Sequence, residues 1–265
     1  MQHNTEESFL HHYLKIASRA VKKSASGICH GSALKVITNL DRDVKVAADM
    51  ILHETLVKII GEETPFPVYS EEKNFSEKDI QKNDYHFIID PLDGSLNYSR
   101  SLPLCCISIA LWKGMSPLLG VVYDFNHDEI YQGLVGEGAW LNGTPISVAG
   151  ETKIEDAILC TGFPTQTDFS AMAVNKFVRS IQVYKKVRLI GSAALSLAFV
   201  SSGRADAYHE RDIAIWDVGA GIALVKAAGG FVEFSPSTKK NRLNVFAAST
   251  AALKLKNKDP DSKNI

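Results

Sequence analysis

The sequence predicts an α+β fold of stacked helix and sheet layers. Three observations carry this: helical spacing over the first sixty or so residues, a centre made of short extended runs, and regular helix–strand alternation from Ala157 onward. No internal repeat and no linker-like change of composition interrupts the chain. One unit over residues 1–265 is therefore expected, with approximate halves 1–145 and 146–265. A hydrophobic content of 45% suffices for a core of that size.

Leu10, Leu14, Ala17 and Val21 recur at helical spacing and place an amphipathic helix near 6–25. After a Ser/Gly segment, a second helix runs from about Ala47 to Ile60, stopped by Gly61, Pro65 and Pro67. Extended runs follow at Pro67–Ser70, His86–Asp90, Leu104–Trp112, Leu118–Asp124 and Ile130–Val135. Gly114, Asn126–Asp128 and Gly136–Gly138 separate them as turns, which is the pattern of a strand meander. The second half predicts strands at Ala157–Thr161, Lys186–Ile190, Ala205–Tyr208, Gly230–Phe234 and Asn244–Ala247. Helices at Ser170–Ser180, Ala193–Ser201 and Trp216–Ala228 lie between them.

Charge and cysteine usage narrow the function classes. Twenty-nine basic residues stand against 30 acidic ones, a net charge of -1. That balance lacks the basic excess of a nucleic-acid binder and the polybasic run of a membrane-surface protein. No stretch approaches the about 18 apolar residues of a membrane span. The N-terminus lacks a signal-peptide pattern. Cys29, Cys105, Cys106 and Cys160 show no CxxC spacing and read as free thiols of a reducing compartment, so a cytoplasmic protein is expected. The eight histidines show no zinc-ligand spacing.

The chemistry concentrates in His86-Phe-Ile-Ile-Asp-Pro-Leu-Asp-Gly-Ser95. An apolar strand delivers Asp90, Pro91 stops the ladder, and Gly94 turns the chain after Asp93. Two carboxylates across such a turn can converge with the Leu92 carbonyl, and oxygen-only ligands favour magnesium, manganese or calcium. The amides of Gly94 and Ser95 then open a short helix, a phosphate-binding arrangement. An ordinary Asp-Gly turn with a cap explains most such dipeptides, as a solvated charge pair would explain Glu71-Glu72 and an N-cap would explain Asp217.

The three segments together resemble the inositol monophosphatase family. Ser70-Glu-Glu72, Asp90-Pro-Leu-Asp-Gly-Ser95 and Trp216-Asp-Val-Gly-Ala-Gly221 resemble its (G/S)EE, DPxDG(T/S) and WDxxAG elements, in order and at fitting spacing. The resemblance implies a layered α-β-α-β-α sandwich of the sugar-phosphatase type, with metal and catalytic motifs in the first half and the WD motif and substrate side in the second. It implies that Glu71, Asp90, Asp93, Asp217 and the Leu92 carbonyl hold two or three Mg2+ ions, with Mn2+ as a substitute. Ser95 stands beside the attacking water. Asp41, Asp43 and Asp49 compete for the water-activating acid; Asp49 is chosen because it directly opens the helix leading to Glu71.

The implied reaction is attack of metal-activated water on a phosphomonoester, without a phosphoenzyme. Asp90 and Asp93 are wrongly spaced for the D-x-D of haloacid-dehalogenase-type phosphatases. Gly191-Ser-Ala-Ala194 and Ala205-Asp-Ala-Tyr-His-Glu210 resemble substrate-side segments, so Gly94, Ser95, Ser192, Ala193 and Glu210 are assigned to the substrate. Arg211-Asp212 puts two charges where a smaller pair is familiar in the family. The loop Gly162–Ser170 is polar and is expected to border the pocket. A small phosphorylated metabolite, no nucleic acid, no membrane and a homodimer are the implied partners. Inositol or a similar polyol or sugar monophosphate ranks first, a 3'-phosphoadenosine nucleotide second and fructose bisphosphate third. A metal- or phosphate-binding regulator on the same fold is the rival class, but it would be expected to have lost a ligand, and the acidic set is complete.

Overall fold

The computed structural model describes residues 2–28, 36–40, 43–71, 84–163 and 168–254. Asp41, Glu72, Cys29, Thr165 and Thr167 lie outside them, as do the side chains of Asp43 and Lys45. The first helix, α1, spans Gln2–Ala25, and its Leu10, Leu14, Ala17 and Val21 are buried as the spacing requires. A hairpin follows, β1 (Val36–Leu40) against β2 (Asp43–Val46), where the sequence predicts only a Ser/Gly segment between helices. Helix α2 (Ala47–Glu63) runs through Gly61 and ends at Thr64, just before Pro65.

The meander forms a seven-stranded sheet ordered as in the chain: β3 (Val68–Ser70), β4 (Tyr85–Asp93), β5 (Cys106–Lys113), β6 (Ser116–Asp124), β7 (Glu129–Leu134), β8 (Gly138–Leu141) and β9 (Thr144–Ile146). Only β3 and β4 are parallel. A short helix, α3 (Ser95–Ser99), interrupts the meander after β4. Strands β8 and β9 were not expected; both are short and closed by glycine turns.

The second sheet is ordered β11-β10-β12-β14-β13, with β10 (Ile158–Thr161), β11 (Lys186–Leu189), β12 (Ala207–Ala214), β13 (Phe231–Pro236) and β14 (Arg242–Ala248). Its helices are α4 (Ala171–Ile181), α5 (Ala193–Ser201) and α6 (Ile215–Ala227). Strands β10, β11 and β12 are parallel, as helical crossovers demand.

Apolar patterning explains the layering. β5 is apolar on both faces because both are covered: Ile107, Ile109 and Leu111 meet α1 and α2, while Cys106, Ala110 and Trp112 meet α5 and α6. Helices α5 and α6 are apolar nearly all round because they lie between the two sheets. A third cluster of Leu159, Tyr184, Ala207, Phe246 and Leu253 covers the far face of the second sheet. The order helix, sheet, helix, sheet, helix is the α-β-α-β-α sandwich. Tight seating of the central layer rests on Gly120, where a Cβ would stand 2.2 Å from the Ala220 carbonyl oxygen. Cys105, Cys106 and Cys160 are free and buried. No described helix is long and apolar enough to cross a membrane.

Candidate active site

Two β-bulges aim the site. In β4, Asp90 pairs with Ser108 and Asp93 with Cys106, so the chain carries one extra residue between them. Pro91 therefore does not stop the strand, as the sequence suggested. Lacking an N–H, it is tolerated in the bulge, and the ladder resumes beyond it. In β12 the register shifts between Glu210 and Ile213, and Asp212 takes a left-handed φ of 56°. Bulged strands turn a side chain out of its regular alternation, and here both present carboxylates to the space between the sheets.

Gly94 follows with φ of 92°, where a Cβ would meet the Leu104 carbonyl oxygen at 2.8 Å; only glycine fits this turn. It delivers Ser95, whose hydroxyl lies 2.8 Å from Asp49 Oδ1 and 2.9 Å from the Leu92 carbonyl oxygen, the two acceptors for its proton. Asp49 is in the first turn of α2, and its Oδ2 accepts the Val46 N–H at 2.6 Å. Asp90 Oδ1 accepts the Leu92 N–H at 3.0 Å. Asp93 Oδ2 accepts both the Ser192 hydroxyl and the Ala194 N–H, each at 2.6 Å. Both oxygens of Asp49 and one each of Asp90 and Asp93 are thus fixed by the fold.

Asp49, Asp90 and Asp93 are buried, while Glu71 and Asp217 are half-buried. Burial pushes the Asp90 carboxyl well above its ordinary range, and Asp93, Asp217, Glu71 and Asp49, in that order, push it further. Burial likewise raises Asp217, with Asp93, Glu71 and Glu210 adding to it and Arg242 opposing. Burial also raises Asp93, while its bonds to Ser192 and the α5 amides hold it to about 6. Five carboxylates from four separate segments therefore share one field. Asp217 lies inside α6 and does not cap it; the N-cap is Ala214.

Ser192 and Ala193, assigned to the substrate, are engaged otherwise. The Ser192 hydroxyl donates to Asp93, accepts the Leu195 N–H at 3.2 Å and caps α5. The Ala193 amide also acts on Asp93. Glu210 is buried, and its carboxyl is raised to about 8, by burial first and then opposed by Tyr208. It packs against Gly162, the start of the polar loop. Arg211 is exposed, and Asp212 is taken up by Ser237 and Lys239 on the far side of the bulge.

Asn97 lies inside α3. Its Nδ2 donates to the Leu104 carbonyl at 2.8 Å and the Ile190 carbonyl at 2.9 Å, which fastens the Gly94 turn to the segment leading into Ser192. Asn97→Ala leaves both acceptors without that donor. It is expected to cost about 1–3 kcal/mol, or roughly 3–10 °C in melting temperature for a chain of this size, as a calorimetric scan would read. Similarly, the Ser70 hydroxyl, beside Glu71, lies 3.1 Å from His53 Nδ1.

The description of the inositol monophosphatase family matches residues 7–254. The chain belongs to that family. Inositol monophosphatase 3 of Solanum lycopersicum is 33% identical over 265 residues, covering 91% of this chain and 93% of that one. Nus factor SuhB of Pasteurella multocida is 34% identical over 225 residues, covering 83% and 84%. The structure of inositol monophosphatase from Anabaena superposes with a TM-score of 0.77 at 31% identity, over 91% of this chain and 92% of that one. Membership in the inositol monophosphatase family carries the reaction class, phosphoric monoester hydrolysis.

Proposed function

We propose that this phosphatase is magnesium-dependent and hydrolyses a small polyol or sugar monophosphate, inositol monophosphate first among them. The observation that carries the reading is the shared field at Asp90, to which Asp93, Asp217, Glu71 and Asp49 all contribute. Such a concentration of buried negative charge suits a hard divalent cation and a bound phosphate that is held through it.

The donor set fits the ion. Hard carboxylate and carbonyl oxygens, with Asp90, Asp93 and the Leu92 carbonyl each held by a hydrogen bond from the backbone or a hydroxyl, are what magnesium and manganese take. Among the described residues no three side chains form a ready-made cage. Magnesium does not require one, because it keeps waters and shares its ligands with the substrate phosphate. Glu71, Asp90, Asp93, Asp217 and the Leu92 carbonyl would hold two or three ions, Mn2+ substituting. When bound, they supply positive charge to the phosphate and the departing oxygen.

The chain's own residues place the nucleophile. Ser95 gives its proton toward Asp49 and Leu92, so its oxygen keeps lone pairs to accept a proton of the attacking water. Asp49, which accepts the Ser95 hydroxyl proton, stands behind it as the base toward which the water's proton is relayed through Ser95. Gly94 and Ser95 open α3 toward the phosphate, and Glu210 accepts a substrate hydroxyl. Positioning of this kind dominates phosphoryl transfer.

A homodimer is proposed as well. Helix α4 buries none of its residues and exposes Met172, Val174 and Val178, an apolar side suited to a second copy; sedimentation at the mass of one chain would remove that part. With 29 basic and 30 acidic residues, the chain offers no excess charge for nucleic acid or a membrane surface, and a cytoplasmic setting suits its free buried thiols. Phosphate release from inositol 1-phosphate, 3'-phosphoadenosine 5'-phosphate and fructose 1,6-bisphosphate tests the substrate. The polyol ester is expected to lead, and a preference for the nucleotide would move the assignment to a bisphosphate nucleotidase.

A further inference from the structure

Tyr208 and Glu210 stand two residues apart on β12, so their side chains share the face that packs against α5 and α6. Tyr208 is fully buried, and among the described residues its hydroxyl finds no acceptor in hydrogen-bond geometry. A buried phenol without an acceptor is unusual, because its O–H must otherwise give up the bond that water would supply. The groups that bear on this hydroxyl are all acidic. After burial itself, the carboxylates of Glu210, Asp217 and Asp93 hold the phenol well above its ordinary range, so it remains a proton donor. Glu210 also acts on the phenol, and the phenol on Glu210, as a hydrogen-bond partner, so the hydroxyl faces Glu210 although the pair does not meet strict hydrogen-bond geometry.

Among the described residues Glu210 has little other support. One of its oxygens lies where a Cβ on Gly162 would stand 2.6 Å away, so that side of the carboxylate is walled by backbone. A buried carboxylate accepts a neutral hydroxyl well only in its charged form, which burial disfavours here and Tyr208 favours. We propose that Tyr208 is a positioning residue for substrate recognition, its hydroxyl donating to one oxygen of Glu210 while the other accepts a hydroxyl of the substrate. The inference rests on the reading that Glu210 receives such hydroxyls. It extends that reading to the residue that readies Glu210.

Tyr208→Phe removes the hydroxyl and keeps the ring. The test measures kcat and KM for inositol 1-phosphate and for phenyl phosphate, which has no hydroxyl to offer, in the parent protein, Tyr208→Phe and Glu210→Gln, with a melting curve for each. The ratio of kcat/KM between the two substrates should fall about five- to tenfold in Tyr208→Phe, through KM for inositol 1-phosphate, as loss of one hydrogen bond to a charged group predicts. The melting temperature should stay within about 2 °C, since the ring and its packing are kept and the contact with Glu210 falls short of a well-formed bond in the fold. If Glu210→Gln lowers the ratio and Tyr208→Phe does not, the role of Tyr208 is refuted while the Glu210 reading stands. An equal loss on both substrates with a lower melting temperature makes the hydroxyl structural and also overturns it. If Glu210→Gln leaves the ratio unchanged, the Glu210 reading falls and takes the inference with it.

Discussion

Asp90→Asn is expected to reduce kcat/KM for phosphate release by about three orders of magnitude, a loss of about 4 kcal/mol of transition-state stabilisation. The same substitution should raise the melting temperature of the metal-free protein. Both effects follow from one arrangement. Asp90 is buried, and the four neighbouring carboxylates all disfavour its charge. The amide keeps the size of the side chain and can still accept the Leu92 N–H, so the bulge is preserved. What disappears is one negative charge: a hard ligand is lost to the reaction, and repulsion is relieved in the fold. Kinetics with excess magnesium and a melting curve in chelator read the two consequences separately. A variant that is both active and less stable would contradict the account.

The second large effect concerns pH. In the metal-free folded state Glu210 keeps its proton to about 8, against an ordinary value of 4.5. Between those values the folded chain binds more protons than the unfolded one, so Glu210 lowers stability as pH rises through that window. Glu210→Gln lacks this term. In chelator, its melting temperature relative to the parent should be level below about pH 4.5, climb through neutrality and flatten above about pH 8. The climb should be on the order of 5 kcal/mol, or about 15 °C. Asp93, raised to about 6, adds a similar but shorter decline to parent and variant alike, which the difference cancels. A difference that is flat from pH 4 to 9 would mean that Glu210 titrates normally and is not desolvated.

How much of this was legible in the sequence depended on whether a feature is local. Helix Ala193–Ser201 was read to the residue because its apolar run begins at a serine cap. The strand into Asp90 was read because five apolar or half-apolar residues precede an Asp-Pro. Hairpin β1–β2 escaped because Thr-Asn-Leu-Asp-Arg-Asp has no apolar alternation to mark two strands. Strand β12 was cut short at Tyr208 because Glu210, Arg211 and Asp212 look like a loop; the bulge that lets a strand carry them has no local signature. The motifs brought the acidic residues to notice. The bond from Ser192 to Asp93 spans 99 residues and exists only because α5 lies between the two sheets, which no spacing rule encodes. The same holds for Asn97, whose two acceptors come from opposite halves of the chain.

The most direct measurement is phosphate release from inositol 1-phosphate by protein stripped with chelator and then titrated with magnesium. No release above background is expected after stripping, and full, saturable recovery is expected as magnesium, or manganese in its place, is added. Undiminished release from the stripped protein would show that the carboxylates of Glu71, Asp90, Asp93 and Asp217 serve some purpose other than holding the ions of a phosphatase.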